Sequence, residues 1–156
     1  MFKPESIDLI FLDLDHTLIF GSYKELPELN LMFKYGSWLW VYERPGAIDF
    51  ARRVCQIAPT FVYTTAMKDY ATQAVSELAF KPQNIFTREN CLRVGDAYRK
   101  SAKHVGHKVT CSTLIVDDSP EVWSVEEIET CSLLAPKRWM GEYDDSVLYE
   151  VMSHLR

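Results

Sequence analysis

Three short apolar runs in this chain each end in acidic or hydroxyl residues, with helical patterns between them. Ile7-Asp8-Leu9-Ile10-Phe11-Leu12 leads into Asp13 and Asp15. Thr60-Phe61-Val62-Tyr63 leads into Thr64 and Thr65, and Ser112-Thr113-Leu114-Ile115-Val116 leads into Asp117 and Asp118. Short runs of branched and aromatic residues read as strands buried on both faces. Between them, Pro45 opens a helix whose apolar stripe is Ile48, Ala51, Val54 and Cys55, and Pro59 ends it. A second helix carries Met67, Tyr70, Ala71, Ala74, Val75 and Leu78 at helical spacing. The pattern predicts an α/β fold with a central parallel sheet flanked by helices. Ligands of such sheets bind at the carboxyl ends of the strands, where the acids and hydroxyls fall.

Further on, a short strand is expected near Asn84-Ile85-Phe86 and a helix from about Tyr98 to Val105. Pro120 to Ile128 reads as helical and Ser132-Leu133-Leu134 as a last strand. Asp144 opens a C-terminal helix with Val147, Leu148, Val151, Met152 and Leu155 on its buried face. One segment, from about 21 to 44, breaks the alternation. Leu29–Lys34 and Trp38–Tyr42 are aromatic, β-prone runs around Tyr35-Gly36-Ser37, the pattern of a β-hairpin. It forms a small flap near the end of the first strand. Trp38 and Trp40 share one face of a strand in this reading. They either pack within the flap or face a substrate. Arg44 is likewise open between a phosphate contact and a structural role.

The length of 156 residues fits one domain, 1–156. Net charge is -5, with 17 basic against 22 acidic residues, which disfavours binding to long nucleic acid. No apolar run is long enough to span a bilayer, and no secretory leader is expected. The four cysteines are widely spaced without a Cys-x-x-Cys pair, so they read as buried free thiols rather than zinc ligands. A reducing, cytoplasmic or nuclear setting is the matching expectation.

Asp13-Leu14-Asp15-His16-Thr17 forms an Asp-x-Asp-x-Thr sequence directly after the first strand. It resembles the first motif of the haloacid dehalogenase superfamily. Thr64, Lys100 and the Asp117-Asp118 pair follow in the order that superfamily requires. Glu43-Arg44-Pro45-Gly46, Thr64-Thr65-Ala66 with Tyr70, Tyr98-Arg99-Lys100, and Asp117-Asp118-Ser119-Pro120 with Trp123 narrow the likeness. Together they are similar to the phosphatases acting on the C-terminal domain of RNA polymerase II, including the small, NLI-interacting-factor-like ones. Two departures stand out: Asp118 replaces the Asn usual in the small members, and the flap sequence is this chain's own.

The resemblance implies a Rossmann-like fold and a phosphomonoesterase. The intervals from Thr17 to Thr64 and from Thr64 to Lys100 leave no room for a large cap. Asp13 is the candidate nucleophile, because a carboxylate divides the reaction into forming and hydrolysing an acyl phosphate. Asp15 is the candidate acid and base, with Thr17 steadying Asp15 or its loop. Mg²⁺, a hard cation suited to oxygen ligands, is the implied cofactor. Asp13, the main-chain carbonyl of Asp15, and Asp117 would hold it, with Asp118 ligating through water or orienting a ligand. Lys100 would grip the phosphoryl group; Lys103 and Lys108 are its rivals nearby. Thr64 or Thr65 would bind another oxygen, the resemblance favouring Thr64. An open site suits a phosphorylated protein or peptide. A nucleotide, nucleic-acid end or small metabolite is the alternative substrate, and a non-catalytic binding module the alternative role.

Overall fold

The computed structural model describes residues 3–155. Its elements in chain order are β1 (Leu9–Leu12), β2 (Ile19–Ser22), β3 (Asn30–Tyr35), β4 (Leu39–Glu43), α1 (Ala47–Ile57), β5 (Thr60–Tyr63) and α2 (Lys68–Glu77). There follow β6 (Asn84–Phe86), β7 (Leu92–Val94), β8 (Ala97–Arg99), β9 (Thr113–Val116), α3 (Val125–Thr130), β10 (Ser132–Leu134) and α4 (Val147–Ser153), with short 3-10 turns between some of them. Five strands pair in parallel in the order β10-β9-β1-β5-β6. β1 is central, so the three strands that end in acids and hydroxyls lie side by side. Among the described residues there is no large cap.

Alternate residues of a strand point to opposite faces, and the core divides accordingly. Ile10, Leu12, Val62, Leu114 and Val116 pack with Phe50 and Val54 of α1, Ala71 and Ala74 of α2, and Leu148 of α4. Phe11, Tyr63 and Ile115 face the other way, onto Phe86, Ala102 and Trp123, with Ile128 of α3 at the margin. Phe11 and Tyr63 meet the Trp123 ring at centroid distances of 5.5 and 5.3 Å. α1 starts at Gly46, whose φ of 84° lies in the left-handed region. A Cβ there would meet the Tyr149 ring at 3.2 Å, so this glycine sets the joint between α1 and α4. In α2 the buried residues are Tyr70, Ala71, Ala74 and Val75. Met67 falls before the first turn and is exposed, outside the stripe the sequence suggested.

The flap has three strands, in the order β2-β4-β3. The expected hairpin is β3 and β4; the addition is β2, which pairs antiparallel with β4 from Ile19↔Glu43 to Ser22↔Trp40. Trp38 sits in the turn rather than in β4, so it does not share a strand face with Trp40. Trp40 is half-buried beneath the Lys34 ammonium, 4.4 Å from the ring centroid.

Two helical expectations are corrected. Tyr98 and Arg99 belong to a hairpin, β7-β8, closed by a two-residue turn in which Gly95 has φ 63°. A 3-10 turn, Lys103–Val105, is the sole helical piece of that stretch. The span from Pro120 to Ile128 splits into a 3-10 turn, Pro120–Val122, and α3. Trp123 is extended between them and reaches back to the sheet, and Ser124 then caps α3 by accepting from the Glu127 N–H. α4 begins after Ser146 rather than at Asp144. The four cysteines are free, but Cys111 is exposed and Cys91 is the one fully buried.

Arg44 is fully buried and does not face the cleft. Its Nε and Nη2 donate to the Asp145 carboxylate at 2.8 and 3.0 Å. Nη1 donates to the Thr17 carbonyl at 3.1 Å and Nη2 to the Lys137 carbonyl at 2.7 Å. It therefore ties the loop after β1 to the segment before α4, and the substrate-facing reading of Arg44 is withdrawn. Removing one partner of a buried pair strands the other's charge. Arg44→Met should lower unfolding free energy by about 3 kcal/mol or more, read from denaturant melts. Arg44→Met with Asp145→Leu should recover part of that loss.

Candidate active site

At the end of β1 the Asp13 N–H donates to the Val116 carbonyl at 3.0 Å, and the chain turns away from the sheet. His16 takes a left-handed φ of 66° in the turn that follows. That turn is clamped: the His16 N–H donates to the Ile19 carbonyl at 2.7 Å and the Trp139 N–H to the His16 carbonyl at 2.9 Å. The His16 ring lies with Nδ1 3.0 Å from the Trp139 carbonyl. The side chains of Asp13 and Asp15 are thereby held at one end of the sheet.

Asp117 leaves β9 beside Asp13, and Lys100 lies between them. Its Nζ donates to Asp13 Oδ1 at 2.9 Å and to Asp117 Oδ2 at 2.6 Å, with all three residues buried. Lys100 reaches this place because its own N–H donates to the Val122 carbonyl, forming a bridge to the Trp123 segment. Lys103 is exposed in the turn beyond, and it is Lys100 that enters the site. Trp123 Nε1 also donates to Asp117 Oδ2 at 3.0 Å, and the Ser119 N–H to Asp117 Oδ1 at 2.9 Å. Burial opposes the Lys100 charge, but Asp13 and Asp117 outweigh it and raise its pKa, so it stays an ammonium. Burial pushes the Asp13 carboxyl up to about 6, against the pull of Lys100 and with help from Asp118. Asp117 is likewise pushed to about 6 by burial and by Asp13. At both acids the Lys100 ammonium opposes burial and favours the carboxylate.

Thr17, expected to steady Asp15 or its loop, makes no hydrogen bond to Asp15 itself and instead ties down the loop. Its hydroxyl lies 2.9 Å from Asp13 Oδ2 and 3.1 Å from Asp118 Oδ1, and it accepts from the Asp118 N–H at 3.1 Å. Asp118 is thus drawn to Asp13. Carboxylate oxygens of Asp13, Asp117 and Asp118 all lie within 4.8 Å of one another, a hard-oxygen set that fits a divalent cation such as Mg²⁺. Asp15 stands apart from that cluster and accepts from the Tyr70 hydroxyl at 2.8 Å. Burial raises its pKa, while the Tyr70 hydrogen bond works the other way.

Thr64 and Thr65 complete the cleft, which also takes in His16, Ser119 and Arg138 and encloses about 350 Å³. The buried Thr64 hydroxyl accepts from the Ala66 N–H at 3.1 Å, leaving its own proton to donate. Thr65 is half-exposed and its carbonyl is taken by Arg88 Nε at 2.9 Å. A second hollow of about 380 Å³ shares Asp15 and His16 and is walled by Tyr23, Tyr35, Trp38, Met67 and Arg88. Tyr23 and Trp38 stack there at 5.7 Å and 17°. Trp38 borders this hollow, whereas Trp40 does not.

Sequence reasoning placed Tyr70 in a helix stripe and Trp123 in the core; both are buried, yet each also holds a cleft carboxylate through its polar end. Their amphipathic character was the available signal. Arg138 went unnoticed, although Lys137-Arg138 follows the last strand as a basic pair.

The fold agrees with known proteins. Two solved structures superpose over 96% of this chain. One is Fcp1, an essential RNA polymerase II CTD phosphatase, with TM-score 0.62 and 15% identity. The other is a fission yeast Fcp1 variant bound to beryllium fluoride, with TM-score 0.65 and 14% identity. Phosphatase Herzog of Drosophila melanogaster is 24% identical over 150 residues, 90% of this chain. The chain spans 41% of that fly protein's length and 48% and 50% of the two Fcp1 chains. The model of the NLI interacting factor-like phosphatases matches residues 8–156, and the chain belongs to that family, in its haloacid dehalogenase-type fold.

Tyr70→Phe removes a hydrogen bond that favours ionised Asp15. The Asp15 pKa should therefore rise further, its titration moving to higher pH. Carboxyl-carbon NMR titration of the two proteins measures this, and an unchanged or lowered midpoint would contradict the role given to Tyr70.

Proposed function

We propose that this chain is a single-domain, Mg²⁺-dependent phosphomonoesterase that works through an aspartyl-phosphate on Asp13. The observation that carries it is Lys100 bridging Asp13 and Asp117 beside an Asp15 held separately by Tyr70. Two carboxylates with different surroundings suit two roles. Asp13, ionised and bracketed by Lys100 and Thr17, attacks phosphorus. The bond from phosphorus to the substrate oxygen breaks, and Asp15, whose burial favours the protonated form, gives that oxygen its proton. Asp15 then takes a proton from water as the water oxygen attacks the acyl phosphate. The phosphorus bond to Asp13 breaks, inorganic phosphate leaves, and both carboxyls return to their starting states.

Phosphoryl transfer asks chiefly for placement and charge. Lys100 spends two of its three N–H donors on Asp13 and Asp117 and keeps one for a phosphoryl oxygen. Thr64 supplies another through its free proton. Asp13, Asp117 and Asp118, with the main-chain carbonyl of Asp15, would hold Mg²⁺. That ion would offset the negative charge gathered when a phosphate dianion meets these acids.

The substrate we favour is phosphoserine or phosphothreonine in an extended protein segment. What supports it is the open cleft and the adjoining aromatic hollow, which a small phosphomonoester would leave unfilled. Trp38, 51% exposed on its rim, offers a stacking surface to a neighbouring residue of such a segment.

Hydrolysis of an aryl phosphate should require Mg²⁺ and fall by more than about a thousandfold in Asp13→Asn. Folded protein that turns over nothing with Mg²⁺ present would favour a binding module instead. Trp38→Ala should raise KM for a phosphopeptide several-fold, by roughly 1 kcal/mol of lost aromatic contact, and leave KM for the aryl phosphate unchanged. Equal behaviour with both substrates would point to a small phosphomonoester.

A further inference from the structure

Among the described residues, Arg138 is the one guanidinium that lines the catalytic cleft. Its side chain is 53% exposed, and its single short-range partner is Asp118, with Nη1 3.4 Å from Oδ2. That contact is long beside the 2.7–2.9 Å usual for charge-assisted bonds. Arg44 is the contrast, with its donors spent on Asp145 and main-chain carbonyls at 2.7 to 3.1 Å. Arg138 keeps most of its five N–H donors unspent.

Asp118 does not depend on Arg138. Its side chain is 3% exposed, and Oδ2, the oxygen that faces Arg138, keeps the Ser119 hydroxyl at 3.1 Å. The guanidinium can therefore leave Asp118 without orphaning a buried oxygen. Among the described residues Lys100 and Arg138 are the Lys and Arg side chains that line the cleft, against Asp13, Asp15, Asp117 and Asp118, and Lys100 is already shared between Asp13 and Asp117. Beside a bound Mg²⁺, Arg138 is the cation with most of its donors still free for an arriving phosphoryl dianion.

We infer that Arg138 is a substrate-binding residue that turns from Asp118 to the phosphoryl group and holds two of its oxygens with the guanidinium fork. This rests on the phosphomonoesterase reading of the same cleft. A flanking acidic group of the substrate is a poorer partner, because the hollow beyond Arg138 sets Glu142 and Asp144 against Lys137, with Asp145 already paired to Arg44. Bidentate recognition of phosphate is what distinguishes arginine from lysine here.

Arg138→Ala and Arg138→Lys, each compared with the unaltered chain, test this by two readouts in Mg²⁺ buffer. One is steady-state hydrolysis of an aryl phosphate; the other is calorimetric titration with inorganic phosphate. Arg138→Ala should raise KM and weaken phosphate binding by about tenfold or more, with the melting temperature nearly unchanged because Arg138 is exposed, its contact is long, and Asp118 keeps the Ser119 hydroxyl. Arg138→Lys should restore part of the binding. Unchanged KM and phosphate affinity in Arg138→Ala would overturn the assignment, as would a large loss of melting temperature accounting for the change. Should the unaltered chain bind phosphate but hydrolyse nothing, the catalytic reading fails while the titration still decides Arg138. Absence of phosphate binding in the unaltered chain overturns both.

Discussion

The ammonium of Lys100, buried between Asp13 and Asp117, is the interaction on which the rest of the site depends. Three charges taken out of water are costly unless each finds opposite charge and hydrogen bonds. Here Lys100 spans two carboxylates; Trp123 joins it on Asp117 Oδ2, while the Ser119 N–H and the Thr17 hydroxyl take the other two oxygens. The partners come from distant parts of the chain, 87 and 17 residues from Lys100. They meet because β1 and β9 are adjacent in the sheet and the Trp123 segment carries the Lys100 backbone beside them. Such a cluster contributes little net stability by itself, and its value lies in one defined arrangement of the acids.

The loop after β1 is secured in the same spirit, by contacts remote in sequence. Thr17 engages Asp118, the His16 main chain engages Trp139, and Arg44 joins Thr17 to Asp145 and Lys137. Each satisfies backbone groups that a sharp turn leaves without partners. A nucleophile must be placed to within a fraction of an ångström to gain from proximity, and these ties supply the rigidity. The flap and Arg138, by contrast, keep large exposed side chains at the cleft's rim. The interior of the site is hydrogen-bonded throughout, while its mouth is lined by exposed side chains.

Much was legible before any coordinates. Strand ends, the parallel sheet and the acids and hydroxyls just past each run follow from apolar periodicity, while the choice of Lys100 and the order Asp13, Asp15, Thr64, Lys100, Asp117 follow from the family resemblance. The failures have physical causes. Tyr98-Arg99 reads as helix in the sequence because its polar mixture hides a two-residue turn at Gly95-Asp96. β2 was missed because Ile19–Ser22 is too short to show alternation without its partner β4. Trp38 was put on a strand that begins one residue later. Arg44 stays open between a phosphate contact and a structural role until its burial is known.

By itself, the sequence determined the layered α/β class and which residue types stand at the carboxyl ends of β1, β5 and β9, since hydrophobic periodicity is local and strands end where it stops. Tertiary structure alone decided the pairings: Lys100 with two carboxylates, Thr17 with Asp118 rather than Asp15, Tyr70 with Asp15, and Arg44 with Asp145 instead of the cleft. These are long-range contacts between polar groups. Which partner a buried charge takes depends on strand order and on the path of loops, neither of which leaves a periodic trace in the chain.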